Sequence, residues 1–406
     1  MSPPVPVLLI ACHFPPENIV GSLRPGRFFR YLPEFGYEPF VLTASPQSKP
    51  DPRVSVAPYV HDWKGKFWLL TLAPYDDKPS WAAVAERAGT ELLRRHNLRL
   101  ILSTSPPYSV HNAAAALARR FDIPWVADVR DPLVGNASRG AHPLHAWIDR
   151  QVERTILSAN RVVLNTEAAQ ADWRRRYPAD ANRLDVLYNG FDPANLPEPA
   201  GPLPVRQRRI LLHAGSLYNH QYVEILLRAL RGLLDRSLLD ANSFQFQLIG
   251  SVPDSIPALD DFQFLVARQL VDNAGRHLPQ AQAHRRMRDS DYLLLVDYYK
   301  EGGSLQLPAK IFDYLPVGRP ILAITTPGSP MHRVLELSGL PHVALFPSDS
   351  AGAAMDKIQR LLAIPAGPYP LSAEYRRQFD GREQTAALAR IFDRALQPCA
   401  EARIKK

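Results

Sequence analysis

Apolar runs that suit buried strands alternate with helical patterns from one end of the chain to the other. Such alternation is typical of parallel sheets that helices cover on both faces. We therefore expect an α/β fold with a doubly wound sheet in the first half. The pattern there predicts strands near 5–12, 38–43, 99–103, 124–129, 160–164 and 183–187, and helices near 22–35, 80–97, 108–120, 144–158 and 166–177.

Residues 190–208 interrupt this alternation with five prolines, two glycines and few large apolar side chains, a composition that favours a surface crossover. We predict an N-terminal Rossmann-like domain over 1–190, a linker over 191–208, a second Rossmann-like domain over 209–370, and a C-terminal helical segment over 371–406. The second half predicts strands near 209–214, 244–250, 291–296, 320–323 and 342–345, and helices near 221–236, 279–289, 308–316, 330–338 and 350–363.

At 406 residues, 46% of them hydrophobic, the chain exceeds what one core usually serves. Its apolar runs are far shorter than the ~20 residues that a membrane span needs. Val5–Ala11 has no basic region before it and no cleavage site after it, so it predicts a first strand rather than a secretion signal. Because cysteine occurs only at Cys12 and Cys399, we expect a protein of the reducing cytoplasm.

The net charge of +8 is spread evenly over the two halves, whereas a nucleic-acid binder more often concentrates its charge. No nucleic-acid partner is expected. Arginines cluster at 174–176, 206–209 and 285–288. These clusters predict solvated helix or loop faces, with peripheral contact to an anionic membrane surface as the alternative.

Residues 307–322 combine a short amphipathic helix with a buried strand. Pro308 suits the first helical turn, and Gly318 suits the left-handed position after the helix end. Lys310 and Asp313 lie three residues apart, away from the apolar face. The pattern thus holds a carboxylate beside a helix N-terminus, where backbone N–H groups attract phosphate.

This segment resembles the nucleotide-sugar segment of retaining GT-B glycosyltransferases, glycosyltransferase family 4 in particular, and residues 128–132 add to the likeness. The resemblance implies two Rossmann-like domains facing a central cleft, with the C-terminal helix crossing back to the first domain. It implies transfer of a hexosyl unit from a nucleotide-sugar donor to a hydroxyl acceptor, a glycan or lipid-linked saccharide, with retention of configuration. In the family, a Glu at the place of Asp313 holds the donor ribose.

The loops after the first strands supply candidates in the first domain. Gly21 permits close backbone approach and Arg24 adds positive charge, so we predict a phosphate or acceptor contact there, against a flexible loop with solvated arginines. His111, in the helix after the third strand, is assigned to the same contact, with a core or supporting histidine as the alternative. A dinucleotide site would instead show a G-x-G-x-x-G pattern at this loop.

Asp128, Arg130 and Asp131 follow a buried strand, and three charges there are costly unless they are paired or used. Arg130 stands where many family 4 enzymes have a His near the donor sugar. We predict Arg130 and Asp131 as catalytic residues and Asp128 as a phosphate or acceptor contact. A purely structural ion pair is the alternative.

In the second domain, the family places an Arg directly after a glycine and a Lys five residues further on, and these neutralise the donor diphosphate. Here those places hold Ser216 and Gln221. Backbone amides with Lys310, Arg24 and Arg130 as cations could replace them, or the donor site is impaired. The predicted donor-binding residues are Gly215, Ser216, Gly250, Gly302, Gly303, Lys310 and Asp313.

Metal and cofactor signals are weak or absent. The histidines show no H-x-x-x-H or H-E-x-x-H spacing, and Asp289-Ser-Asp291 precedes a strand rather than following one. We expect a metal-independent transfer without a cofactor. A non-catalytic GT-B protein that binds nucleotide or partners a transferase is the second hypothesis, and an epimerase or a dehydrogenase ranks below it.

Overall fold

The chain divides into two compact units, unit 1 (Met1–Asp192 with Phe379–Lys406) and unit 2 (Pro193–Gln378). Each contains one parallel sheet, which agrees with the predicted fold class. The computed structural model describes residues 3–17, 19–59, 80–134, 143–195, 202–217, 220–273, 275, 278–297 and 304–397.

The sheet of unit 1 has the strand order β3-β2-β1-β4-β5-β6-β7 in the part of the chain that the structure describes. Its strands are β1 (Val5–Ile10), β2 (Tyr37–Thr43), β3 (Val54–Val56), β4 (Leu100–Ser105), β5 (Trp125–Val129), β6 (Arg161–Leu164) and β7 (Leu184–Val186). Its α-helices are Val20–Tyr31, Trp81–Arg95, Ser109–Phe121, Pro143–Ile156, Glu167–Arg176 and Gly381–Leu396, with 3₁₀ turns at Leu32–Phe35 and Pro178–Arg183.

The last helix, Gly381–Leu396, belongs to the core of unit 1. It buries Leu388 and Phe392 among strand residues such as Val7, and the Phe392 ring meets the Tyr37 ring edge-on at 5.0 Å. Because this helix carries its apolar face at helical spacing, it covers the sheet far from its own position in sequence.

The sheet of unit 2 has the order β10-β9-β8-β11-β12-β13 within the described residues. Its strands are β8 (Arg209–Ala214), β9 (Phe244–Ile249), β10 (Val271–Asn273), β11 (Tyr292–Val296), β12 (Ile321–Ile324) and β13 (His342–Leu345). The other helical elements are His220–Asp235, Asp260–Ala267, Gln280–Arg288, Ile311–Tyr314, Pro330–Ser338, Ala351–Ala363 and Ala373–Phe379, with 3₁₀ turns at Pro193–Asn195 and Leu315–Val317.

Two predicted helices differ from the structure. The helix expected over 308–316 is the single turn Ile311–Tyr314, followed by a 3₁₀ turn that Gly318 ends with φ 79°. A phosphate contact at the start of this turn stays a prediction. The long C-terminal segment is two helices, because Asp380 interrupts it and caps the second through the N–H of Arg382.

Candidate functional site

A buried ion pair joins the elements at the carboxyl edge of the first sheet. Arg24, on the helix after β1, donates to both carboxylate oxygens of Asp128 on β5, at 2.9 and 2.8 Å. Thr104 on β4 donates its hydroxyl to the same carboxylate at 2.7 Å. The two charged side chains are 2% and 1% exposed. The structure therefore places Arg24 and Asp128 in a structural ion pair, whereas the sequence favours a phosphate or acceptor contact.

The same helix also binds the backbone of residues 187–190, just before the chain passes from unit 1 to unit 2. Arg24 also donates to the carbonyls of Leu187 and Tyr188, at 2.9 and 2.6 Å. Arg27 donates to the carbonyl of Gly190, and burial lowers the pKa of this arginine to about 10. A Cβ at residue 190 would overlap the carbonyl oxygen of Phe379. Residue 190 must therefore be glycine, because the two backbones approach closely there.

Arg130 and Asp131 follow β5. Arg130 donates to the carbonyls of Ser105 and Gly21, at 2.5 and 3.0 Å, and burial lowers the pKa of its guanidinium. The backbone carbonyl of Asp131 accepts from the Tyr108 hydroxyl at 2.8 Å. Arg130 thus joins three loops of the edge, and the catalytic roles of Arg130 and Asp131 stay predictions.

His111 is fully buried. Its Nδ1 lies 2.8 Å from Ser103 Oγ, which also accepts from the Trp125 indole at 2.8 Å. Burial lowers the pKa of His111 to about 3, so the imidazole is neutral at physiological pH. These contacts correspond to the core or supporting histidine that the sequence leaves open.

A second histidine at this edge was not selected by sequence reasoning. His13 stands three residues after the end of β1, and its Nδ1 lies 3.0 Å from Glu17 Oε2. The Ser45 hydroxyl donates to the same oxygen at 2.5 Å. The four-residue spacing of the His and Glu was the available signal, but outside a helix such spacing carries little weight.

Two glycine turns meet at the carboxyl edge of the second sheet. Gly215 follows β8 with φ 117°, and Gly250 follows β9 with φ 119°. A Cβ on Gly250 would lie 2.6 Å from the carbonyl carbon of Gly215. The N–H of Gly215 donates to Ile249 at 2.6 Å. The turns therefore need glycine at both positions, as the predicted donor loops imply.

Lys310 brings a positive charge beneath these turns. Its ammonium donates to the carbonyl of Ser216 and lies 3.4 Å from Nε2 of His213. His213 Nδ1 lies 3.0 Å from the Leu294 carbonyl, so Nδ1 carries the proton and Nε2 can accept from the ammonium. Burial lowers the pKa of Lys310 to about 8. Burial first, and then the Lys310 charge, lower the pKa of His213 to about 3.

Tyr314 fixes the same turn from the helix one turn beyond Lys310. Its hydroxyl oxygen accepts from the N–H of Ala214 at 2.6 Å, and its O–H donates to the carbonyl of the same residue at 2.9 Å. Lys310 and Tyr314, four residues apart, thus both hold the backbone of 214–216. Sequence reasoning missed Tyr314 because it considered the apolar face of the helix only as core. It missed His213, on β8, because a contact with Lys310 97 residues away leaves no local signal in the sequence.

Asp313 points to a different place. Its carboxylate is 45% exposed and lies 3.7 Å from Nε2 of His284. Lys310 instead donates to the carbonyl of Ser216. The ribose contact stays a prediction. Gly302 and Gly303 lie outside the described residues, as does the side chain of Gln221.

Within the described residues, no group of three or more His, Cys, Asp or Glu side chains is arranged to hold a metal ion. No described helix is long and apolar enough to cross a membrane. Parts of the arginine clusters are engaged within the chain, since Arg175 and Arg176 pair with Asp172 and Arg206 pairs with Asp291.

Comparison with solved structures identifies the architecture. A glycosyltransferase from Rickettsia africae aligns with a TM-score of 0.66 at 12% identity, over 98% of this chain and 100% of that chain. Anabaena Alr3699/HepE, in complex with UDP and glucose, aligns with 0.61 at 15%, over 96% and 99%. Sucrose-phosphate synthase from Thermosynechococcus elongatus aligns with 0.59 at 18%, over 97% of both chains. Two parallel α/β units of this kind define the GT-B class of fold.

The sequence gives a narrower assignment. Residues 27–195 match the family model of Glycosyltransferase Family 4. No curated protein sequence matches the chain.

Proposed function

We propose that the protein transfers a hexosyl unit from a nucleoside diphosphate sugar to a hydroxyl group of a glycan or lipid-linked saccharide, with retention of configuration and without a metal. We place the protein in the cytoplasm, where it reaches a lipid-linked acceptor at the inner face of the membrane. The observation that carries the proposal is the second sheet's edge, where Lys310 lies beneath Gly215 and Gly250. Glycine turns and a buried ammonium are suited to a diphosphate.

In this proposal the protein acts mainly through electrostatics. The departing diphosphate gains negative charge as the bond to the sugar breaks, and preorganised donors stabilise that charge better than water does. Lys310 supplies the charge that the family takes from an Arg at the place of Ser216. Asp313, exposed beside His284, is available to a ribose hydroxyl.

UDP is the first donor nucleotide to test. Anabaena Alr3699/HepE is solved with UDP and glucose, and the trehalose-6-phosphate protein from E. coli is solved with UDP-2-fluoro glucose. Both share the fold of this chain. We propose a UDP-linked hexose, with GDP, ADP and TDP sugars as the other members of one panel.

A thermal-shift panel tests donor binding. A ligand at a hundred times its Kd stabilises the folded state by about 2.7 kcal/mol, so the correct donor raises the Tm clearly above the others. In Asp313→Ala that shift shrinks sharply, because the ribose loses its acceptor. Asp356→Ala, an exposed carboxylate in the helix Ala351–Ala363, is the matched control and keeps the shift. Equal shifts in both variants would contradict the ribose role.

A non-catalytic nucleotide-binding protein is the second candidate. Ser216 and Gln221, at the places of the family's two diphosphate cations, favour it. Release of UDP from the bound donor, measured with water or a lipid-linked saccharide as acceptor, separates the two. A protein that binds the donor and never releases its sugar is the non-catalytic one.

A further inference from the structure

His284 and Asp313 bring two polar groups together from separate elements of unit 2. Nε2 of the imidazole lies 3.7 Å from Oδ1 of the carboxylate. This separation exceeds the usual N–H···O distance of about 2.7–3.2 Å, so the two groups face each other without a direct hydrogen bond. Among the described residues, neither side chain is hydrogen-bonded to a third group. The pair is therefore arranged to share a ligand.

The carboxylate stands on a rigid turn. The other three residues of Ile311–Tyr314 are at most 5% exposed, whereas the Asp313 side chain is 45% exposed. Tyr314, the next residue, is hydrogen-bonded to both the N–H and the carbonyl of Ala214. Asp313 thus points outward from a turn that is anchored to the backbone after β8.

The imidazole is held by the helix Gln280–Arg288. Met287 anchors this helix in the core and is 3% exposed. His284 precedes Met287 by three residues, so the two side chains are neighbours on the helix surface. The His284 side chain is 16% exposed. It is thus largely enclosed by protein and still accessible at the surface that Asp313 shares.

The pair lies one helical turn from the predicted diphosphate position. Lys310 lies beneath the turns of Gly215 and Gly250, and its carbonyl accepts from the N–H of Asp313 at 3.0 Å. One such turn advances about 5.4 Å. The helix of His284 connects the parallel strands β10 and β11, so it begins at the same carboxyl edge. In a nucleotide the ribose follows the diphosphate directly, and this spacing suits it.

The two groups are complementary to a pair of neighbouring hydroxyls. An ionised carboxylate only accepts hydrogen bonds, whereas a hydroxyl and an imidazole can each donate or accept. One hydroxyl can therefore donate to Asp313 while the next one on the ring is bound by Nε2 of His284. A sugar that lacks one of them leaves a protein group without its partner, and a site built to bind a hydroxyl rejects such an analogue.

We propose that His284 is a specificity-determining residue for the donor nucleotide, which binds one ribose hydroxyl while Asp313 binds the other. The pair selects ribonucleoside diphosphate sugars over their 2′-deoxyribose counterparts. The inference rests on the proposed function and names the class of donor. An exposed ion pair between the same two groups would contribute little to stability and would not distinguish one nucleotide from another.

The test measures the Kd of the full chain for UDP, 2′-deoxy-UDP and 3′-deoxy-UDP by titration calorimetry, or for the same three forms of the panel nucleotide that it binds. Each deoxynucleotide binds about tenfold more weakly than UDP, the effect of losing one hydrogen bond of ordinary strength. In His284→Phe, UDP binds about tenfold more weakly and one of the two deoxynucleotides binds as tightly as UDP. In Asp313→Ala the other deoxynucleotide is the one that matches UDP.

His332→Phe is the matched control, because Nε2 of His332 lies 3.9 Å from Glu336 with side chains 18% and 61% exposed, and it keeps all three affinities. Equal affinities for UDP and 2′-deoxy-UDP in the unmodified protein overturn the inference. An equal loss for all three nucleotides in His284→Phe also overturns it, since His284 then acts on the fold alone. If His284→Phe binds none of them, His284→Gln takes its place, and loss of all binding there has the same meaning. If the unmodified protein binds no nucleotide of the panel, the proposed function itself fails.

Discussion

Removal of one charge from the Arg24–Asp128 pair will show how strongly unit 1 depends on its buried contacts. In Asp128→Asn the side chain keeps its shape but loses its charge and one of its two acceptor oxygens. The two Arg24 donors, at 2.9 and 2.8 Å from that carboxylate, then face an amide that is half donor. Because the pair is 2% and 1% exposed, water cannot replace the lost acceptor.

The expected cost is that of breaking a buried pair by removing one partner, about 3–5 kcal/mol. Domains of 150–250 residues, the size class of unit 1, lose about 2–4 °C of Tm per kcal/mol. Calorimetry of Asp128→Asn should therefore show the transition of unit 1 lowered by roughly 6–20 °C, with that of unit 2 unchanged.

The control is an Arg–carboxylate ion pair on the protein surface. Arg94 and Glu91 lie 3.4 Å apart with side chains 58% and 55% exposed, so Glu91→Gln should cost at most about 1 kcal/mol. A loss in Asp128→Asn no larger than in Glu91→Gln would refute the reasoning, because burial would then add nothing to the pair.

Three further changes address unit 2. Gly250→Ala should abolish the thermal shift given by UDP, because the new Cβ would lie 2.6 Å from the backbone of the neighbouring turn, whereas Gly352→Ala, with nothing nearer than 4.0 Å, should leave the shift intact. Because the pKa of Lys310 is lowered to about 8, most of its ammonium is charged at pH 7 and little of it at pH 9. The UDP affinity measured by calorimetry should therefore fall from pH 7 to 9. In Lys310→Gln the affinity should be weak and independent of pH over this range. Tyr314→Phe leaves the N–H and carbonyl of Ala214 without the hydroxyl, and urea unfolding should show a loss of about 1–3 kcal/mol. A full thermal shift with UDP in Gly250→Ala would contradict the first prediction. A pH-independent UDP affinity in the unmodified protein would contradict the second, and unchanged stability in Tyr314→Phe would contradict the third.

The sheet architecture could be predicted from the sequence because apolar runs of four or more residues form its central strands. The missed strands β3 and β10, Val54–Val56 and Val271–Asn273, have three residues each, and each forms an edge of its sheet. Such strands owe their conformation to a neighbour rather than to their own pattern. The same holds for Ile311–Tyr314, a single turn that tertiary contacts of Tyr314 keep in place.

The sequence predicts where the loops of the candidate site lie better than it predicts the roles of their side chains. Glycines after strands mark the turns at Gly215 and Gly250, because positive φ and close approach leave a direct signal in the sequence. Partners far apart in sequence leave none. Asp128 lies two residues before Arg130 in the chain, yet its partner is Arg24, on the helix after β1.

The buried arginines of unit 1 and the buried lysine of unit 2 differ in how many hydrogen bonds they make and in how easily they lose a proton. Arg24 and Arg130 donate to several acceptors each, which suits a guanidinium with five N–H groups in a fixed fork. Arg24 gives all of its nitrogens to protein acceptors, so a substrate phosphate could be bound only if one of these contacts were exchanged. Lys310 is a compact point charge, and burial lowers its pKa to about 8. If the proposed donor binds at this edge, its diphosphate favours the charged form of Lys310, so donor binding raises the pKa of this ammonium. Unit 1 thus holds its loops with arginine, whereas unit 2 carries a lysine whose protonation is coupled to binding of the proposed donor.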